Sequence, residues 1–218
     1  MFQSTPASYH VIAPTRGAQV IDEFLDGAKP EVWVSDLAKA QLGAPAAAHQ
    51  ICLAHQLRDL QYAIEADEPP GVRWAVALQR VFRRAIHLHR ERDRVPPESV
   101  ARRRTRIRHA AERLIFRDWA GTGAAGNLQR RYTKHWDDLF VFLERQDVEP
   151  TNNASERDLR NSVIHRKVTG GYRSDWGAQA SMIFISILTT ARKQGQGYFA
   201  ALRAVAGPSP LQAAGMGS

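Results

Sequence analysis

Over its first third the chain interleaves short β-prone runs with helical spacings. Residues 8–13 (Ser-Tyr-His-Val-Ile-Ala) are β-prone and closed by Pro14. Residues 31–36 (Glu-Val-Trp-Val-Ser-Asp) make the clearest strand, ending on Asp36, and 49–54 make another. Between them Val20, Ile21, Phe24 and Leu25 recur at helical spacing and stop at Gly27, and 38–42 predicts a short helix. Leu57, Leu60, Tyr62 and Ile64 continue the last strand into a helix. The alternation predicts a layered α/β unit with some parallel pairing.

The pattern changes at Pro69-Pro70-Gly71. Trp74, Val76, Leu78, Val81, Phe82, Ile86 and Leu88 predict one amphipathic helix, broken at Pro96-Pro97. Helices over 100–119 and 128–143 follow, so 69–148 reads as an all-helical insertion. After Pro150 a new helix starts, capped by Asn152 or Asn153; with Asn153 as cap, Glu156 takes the third helical position of a capping box. A Gly-rich connection over 167–177, a buried helix over 180–191 and a short helix over 198–205 complete the second part, 149–206. The Pro-, Ala- and Gly-rich stretch 207–218 reads as a flexible tail.

Charge narrows the partners. Lys plus Arg outnumber Asp plus Glu by 30 to 22, a net charge of +8 with a pI near 10.1, which points to an anionic partner such as nucleic acid. The apolar share of 44% suits a globular protein. The single cysteine, Cys52, excludes an internal disulfide framework and makes a reducing, cytoplasmic setting the default. No apolar run approaches the ~20 residues of a membrane span, and the N-terminus lacks the basic and apolar regions of a signal peptide.

Four groups carry candidate chemistry. Asp36 ends a strand, where the crevice of an α/β sheet opens; alone it is as readily a turn former. Glu156 opens a helix among Arg157, Arg160 and Arg166; alone it is as readily a capping residue. Two such carboxylates can hold magnesium. Cys52-x-x-His55-x-x-Arg58 lacks the partners of a zinc site, which needs four ligands, but His55 and Arg58 lie one turn apart and can face the crevice of Asp36. Arg102, Arg103, Arg104, Arg106 and Arg108 make a basic helix, suited to phosphates or simply solvated with Ile107, Leu114 and Ile115 turned inward. Arg166, Lys167, Arg173 and the glycines at 170, 171 and 177 suit phosphate contact, yet match no Walker loop or dinucleotide fingerprint.

Together these residues resemble the bacterial insertion-sequence transposases of the sixty-six family. The resemblance rests on Ser35-Asp36, Cys52-x-x-His55-x-x-Arg58, Asn152-Asn153-x-x-Glu156-Arg157, Arg166-Lys167 and the Gly170–Gly177 connection, in that order, across residues 9–205. It implies a ribonuclease-H-like core, 1–68 and 149–206, around the helical insertion. It also implies an Asp-Asp-Glu triad, two magnesium ions, and cutting and joining of DNA at transposon ends. Asp36 matches the second acid and Glu156 the third, both metal ligands. His55, Arg58, Asn153, Arg157 and Lys167 match supporting positions. The arginines of the basic helix, with Arg160, Arg166 and Arg173, become the DNA contacts. No small-molecule substrate or membrane partner is implied, and homo-oligomerisation is left open.

One element of the family pattern has no match. The first acid lies on a first core strand ahead of the segment matching 9–13, and residues 1–4 match only the end of a second strand. Asp22 and Asp26 fall in or at the end of a helical segment. The expectation is therefore an α/β, helix-dominated protein with a partial ribonuclease-H-like core, its mixed sheet lacking the first strands and leaving edges unpaired. It would be an N-terminally truncated transposase, inactive alone. Two alternatives stay open: a non-catalytic basic DNA-binding relic, and a helical interaction protein whose charge serves solubility.

Overall fold

The computed structural model describes residues 1–207, so the stretch expected to be a flexible tail lies, beyond Gly207, outside the described residues. In chain order the elements are β1 (Phe2–Gln3), β2 (Ser8–Tyr9), α1 (Gln19–Leu25), β3 (Val32–Ser35), α2 (Lys39–Leu42), β4 (Ala48–Ile51) and α3 (Leu53–Ala66). Next come α4 (Pro69–Glu91), α5 (Pro97–Phe116), α6 (Ala124–Lys134), α7 (Val141–Glu144), α8 (Asn153–Thr169), α9 (Asp175–Lys193) and α10 (Tyr198–Ala206). The protein is helix-dominated. It divides into two compact units, Arg16–Asn152 and the pair of segments Met1–Thr15 and Asn153 onward.

In the unit spanning Arg16–Asn152, β3 and β4 pair in parallel with Val32 opposite Ala48 and Ser35 opposite Ile51. Helices α3 to α6 pack around one apolar core. The prolines that interrupt the hydrophobic pattern do not separate helices by loops. Pro69 and Pro97 begin α4 and α5, because the first helical position needs no N–H and favours the proline φ. The end of α5 is closed by Gln129, whose Nε2 donates to the carbonyls of Leu114, Ile115 and Asp118. The start of α6 is capped across the fold: Asp67 accepts from the N–H groups of Ala124 (2.8 Å) and Ala125 (2.6 Å). A Cβ at Gly123 would lie 2.3 Å from Asp67 Oδ1, so only glycine admits this cap.

The expected helix over 128–143 is broken. Helix α6 stops at Lys134, a 3₁₀ turn covers Trp136–Asp138, and α7 resumes at Val141. The segment after the break is held by Gln50 on β4, which is fully buried. Its Nε2 donates to the Leu139 carbonyl (3.2 Å) and its Oε1 accepts from the Phe142 N–H (3.1 Å). These bonds replace helical ones and let Leu139, Phe140 and Phe142 all point into the core.

In the other unit, β1 and β2 form an antiparallel hairpin, Phe2 opposite Tyr9. The strands thus make two separate two-stranded sheets, one antiparallel and one parallel, rather than the single mixed sheet expected. The outer edge of β2 explains part of this. Ser8 N–H donates to Thr190 Oγ1 (3.1 Å) and His10 N–H to Ser186 Oγ (2.8 Å), so hydroxyls of α9 occupy donors that another strand would need. Helix α9 runs beyond the expected 180–191 and is not buried throughout: Ile183 and Phe184 are 59% and 54% exposed.

Tyr132 lies at the centre of the helical core, stacked on Trp74 at 6.4 Å and edge-on to Phe82 at 5.6 Å. Burial pushes its phenol far above the ordinary tyrosine range, and its hydroxyl has no hydrogen-bond partner among the described residues. Tyr132→Ala should cost about 3–5 kcal/mol. Tyr132→Phe should be neutral or stabilising by about 1 kcal/mol, because it removes an unsatisfied polar group. Urea unfolding checks both, and a loss in the phenylalanine variant would refute the unpaired hydroxyl.

Candidate functional site

Asp36 follows directly on β3, at the carboxyl end of the parallel pair. The Cys52 N–H donates to the Ser35 carbonyl (2.8 Å), so strand pairing continues to the residue before Asp36. Ser35 Oγ donates to the Asp36 carbonyl (2.9 Å), and Asp36 Oδ1 accepts from the Ala38 N–H (3.1 Å). The carboxylate is therefore held at a fixed point on the turn into α2. It lines a cavity of about 470 Å³ together with His55, Asp59, Arg131 and His135. His55, predicted from the sequence, thus lies in the same cavity as Asp36. Arg58 is exposed on α3 and is not among the lining residues.

Cys52 has a structural task that its spacing to His55 does not reveal. It is fully buried at the start of α3, where Sγ donates to Asn152 Oδ1 (2.9 Å) and accepts from the Asn152 N–H (3.3 Å). The Leu53 N–H also donates to the Pro150 carbonyl (2.9 Å). The start of α3 is thereby bound to the segment 150–152. Among the described residues, no group of three or more His, Cys, Asp or Glu side chains is arranged to hold a metal ion.

Glu156 lies in the first turn of α8, exposed. The helix begins at Asn153, so Asn153 is its first residue and Asn152 precedes it. Arg157, Arg160, Arg166 and Lys167 are exposed on the same helix, and Arg173 is exposed in the connection to α9, where Gly170 and Gly171 take φ of 73° and 107°. The carboxylate that the sequence reading passed over is Asp158. It is buried and accepts from Ser8 Oγ (3.0 Å) and from Arg192 (2.6 Å), with Lys193 Nζ at 3.8 Å. Its offset of two residues from Glu156 puts it on the opposite side of the helix. Burial lowers the Lys193 pKa and also that of His10, whose Nδ1 is 3.4 Å from Ser162 Oγ in the same polar cluster.

The basic helix α5 splits into two sets. Arg104 and Arg108 approach Glu144 at 2.8 and 3.5 Å, and the Arg108 guanidinium lies over the Trp136 ring at 5.6 Å. These two brace α5 against the segment around α7. Arg102, Arg103 and Arg106 are exposed, Arg102 donating to Ser99 Oγ. Arg73, Arg80, Arg83, Arg84 and Arg90 on α4 are exposed as well. The sequence reading missed them because the apolar pattern of α4 drew attention to its buried side. No described helix is long and apolar enough to cross a membrane.

The chain is basic and helix-dominated, with a carboxylate fixed at a parallel strand end, and the comparisons with known proteins identify its family. The family model described as Transposase IS66 family matches residues 1–180, and the chain belongs to that family. It is 31% identical over 151 residues to the uncharacterized protein y4jO of Sinorhizobium fredii, a match covering 69% of this chain and 46% of that protein. The chain thus spans about half the length of this curated relative. No solved structure matches.

If Cys52 holds segment 150–152 through its sulfur, Cys52→Ala should cost about 1–2 kcal/mol in urea unfolding, and Cys52→Ser should recover much of it. Equal losses would mean that the sulfur only fills space.

Proposed function

We propose that this chain is part of the catalytic apparatus of a DNA transposase with a ribonuclease-H-like core, in which Asp36 and Glu156 are the second and third acids and hold magnesium. The observation that carries the reading is Asp36. It stands at the carboxyl end of a parallel strand, its carboxylate oriented by the Ala38 N–H, on the wall of a cavity large enough for a nucleotide phosphate and sugar. Membership of the transposase family supplies the reaction class.

The residues present suit magnesium in chemical type. This ion takes oxygen ligands and commonly keeps waters, using one or two carboxylates and completing its shell with substrate phosphate. Two carboxylates serve one ion, and a two-ion site needs a further acid. When bound, the metal would activate the attacking hydroxyl and neutralise charge at the phosphodiester. The chain's own side chains have simpler tasks. Asp36 is presented at a fixed strand end. Arg157 and Arg160 offer cations near Glu156, and Arg166, Lys167 and Arg173 offer them at and beyond the other end of α8. Arg102, Arg103 and Arg106 offer a sequence-independent grip on the DNA backbone.

The second reading is DNA binding without catalysis, supported by the exposed arginines of α5. Both readings meet in one set of measurements. Magnesium should raise the melting temperature of the 218-residue protein, and Asp36→Asn or Glu156→Gln should abolish the rise. DNA carrying transposon ends should bind in a salt-dependent way. Replacing Arg102, Arg103 and Arg106 together with alanine should flatten the salt slope by about 2–3 units. No joined product should form. Joining by the isolated chain would refute the two-acid account, and a magnesium effect that survives both acid substitutions would refute the metal role.

A further inference from the structure

The geometry points to Arg131, with His135 beside it, as the phosphate-binding side of the Asp36 cavity, contributed by the helical insertion. This inference rests on the reading of Asp36 above and adds the residues that would hold the DNA strand there.

The cavity has two walls of different origin. Asp36, His55 and Asp59 come from the strand end and α3, whereas Arg131 and His135 come from α6 and its C-terminal boundary. His135 is the C-cap of α6, and its N–H still donates to the Arg131 carbonyl (3.1 Å), which keeps the two residues on one turn. Each is oriented by an acid. Arg131 Nη1 lies 2.5 Å from Asp59 Oδ2, and His135 Nδ1 lies 3.1 Å from Asp138 Oδ2. The contact to the Asp138 carboxylate fixes the ring plane.

A guanidinium has five N–H donors, and one contact to Asp59 leaves most of them for another acceptor. The fork geometry of the remainder suits a phosphate. Nor does the ion pair serve chiefly as a fold staple. Its side chains are 38% and 43% exposed, and exposed pairs add little to stability. Asp36 enters no ion pair among the described residues, so the cavity contains one carboxylate without a cationic partner and one guanidinium already shared. A phosphate drawn to a cation on Asp36 would compete with Asp59 for Arg131. Asp59 is then a positioning residue that also masks the guanidinium until DNA arrives.

A purely structural Arg131–Asp59 pair and a shared one differ in sign. The test is a double-mutant cycle on the full 218-residue protein, titrated into a short labelled DNA duplex at low salt without magnesium and followed by fluorescence anisotropy. Asp59→Asn should tighten binding about threefold or more, since it removes the competing acceptor. Arg131→Gln should weaken it about tenfold. Asp59→Asn should add nothing in the Arg131→Gln background. His135→Ala should weaken binding severalfold. Glu65→Gln, which neutralises another exposed acid of α3, measures the general effect of charge and should stay near wild type. A gain in affinity cannot come from unfolding. Tightening that persists without Arg131, or that Glu65→Gln reproduces, overturns the inference. Wild-type binding by the Asp59→Asn and Arg131→Gln variants overturns it while leaving the Asp36 reading intact. Failure of the wild-type protein to bind the duplex overturns both.

Discussion

The hydrogen bond from the Cys52 amide to the Ser35 carbonyl closes the parallel pair β3–β4 one residue before Asp36. The position of Asp36 depends on that junction. Without it Asp36 would begin a loose turn, and the cavity would lose its fixed acid. The next amide, Leu53 N–H, reaches the Pro150 carbonyl, and the Cys52 sulfur exchanges two hydrogen bonds with Asn152. Two successive residues at one helix start therefore connect a strand end to a segment about a hundred positions away. Glu156 follows that segment by four residues in sequence.

Helices α4 to α7 belong to the same compact unit as β3, β4 and α3. Gln50, one residue before the end of β4, holds the segment after α6 by taking the Leu139 carbonyl and the Phe142 amide. An amide side chain buried without partners would be costly, so the gain from satisfying Gln50 is coupled to breaking the helix. The break brings Trp136, Phe140 and Phe142 into contact range of the aromatic core, with Trp136 edge-on to Phe140 at 5.6 Å. It also ends α6 where Arg131 and His135 meet the Asp36 cavity. Asp67 fixes the opposite end of α6, and Gln129 ties it to the last turn of α5. Local polar contacts thus decide where an amphipathic helix stops, and those stops set which cations line the cavity.

Much of this is legible in the sequence because it follows periodicity. The strand ending on Asp36, the helix carrying Glu156, the amphipathic α4 and the basic α5 all announce themselves through apolar spacing and charge. What is hidden depends on residues distant in sequence. Nothing local marks Gln50 as the partner of a segment ninety residues on. Nothing in Cys52-x-x-His55 reveals that the sulfur serves Asn152. Asp158 looks like a further charge in a polar run until β2 and α9 supply Ser8 and Arg192. Arg104 and Arg108 are indistinguishable in sequence from Arg102 and Arg106, and only Glu144 separates them. Arg131 and His135 did carry a signal, the four-residue step on a predicted helix, but their meaning depends on Asp59 and Asp36 facing them.

On the proposed reading, Asp36 and Glu156 are ligands of one divalent cation. Affinity cleavage tests it directly: iron(II) replaces magnesium, ascorbate and peroxide generate hydroxyl radicals at the bound metal, and the cut positions are read by mass spectrometry. Two sets of cuts are expected, one around residue 36 and one around residue 156, both suppressed by excess magnesium and both lost in Asp36→Asn. Cuts around only one of the two positions, or cuts indifferent to magnesium, would contradict that reading.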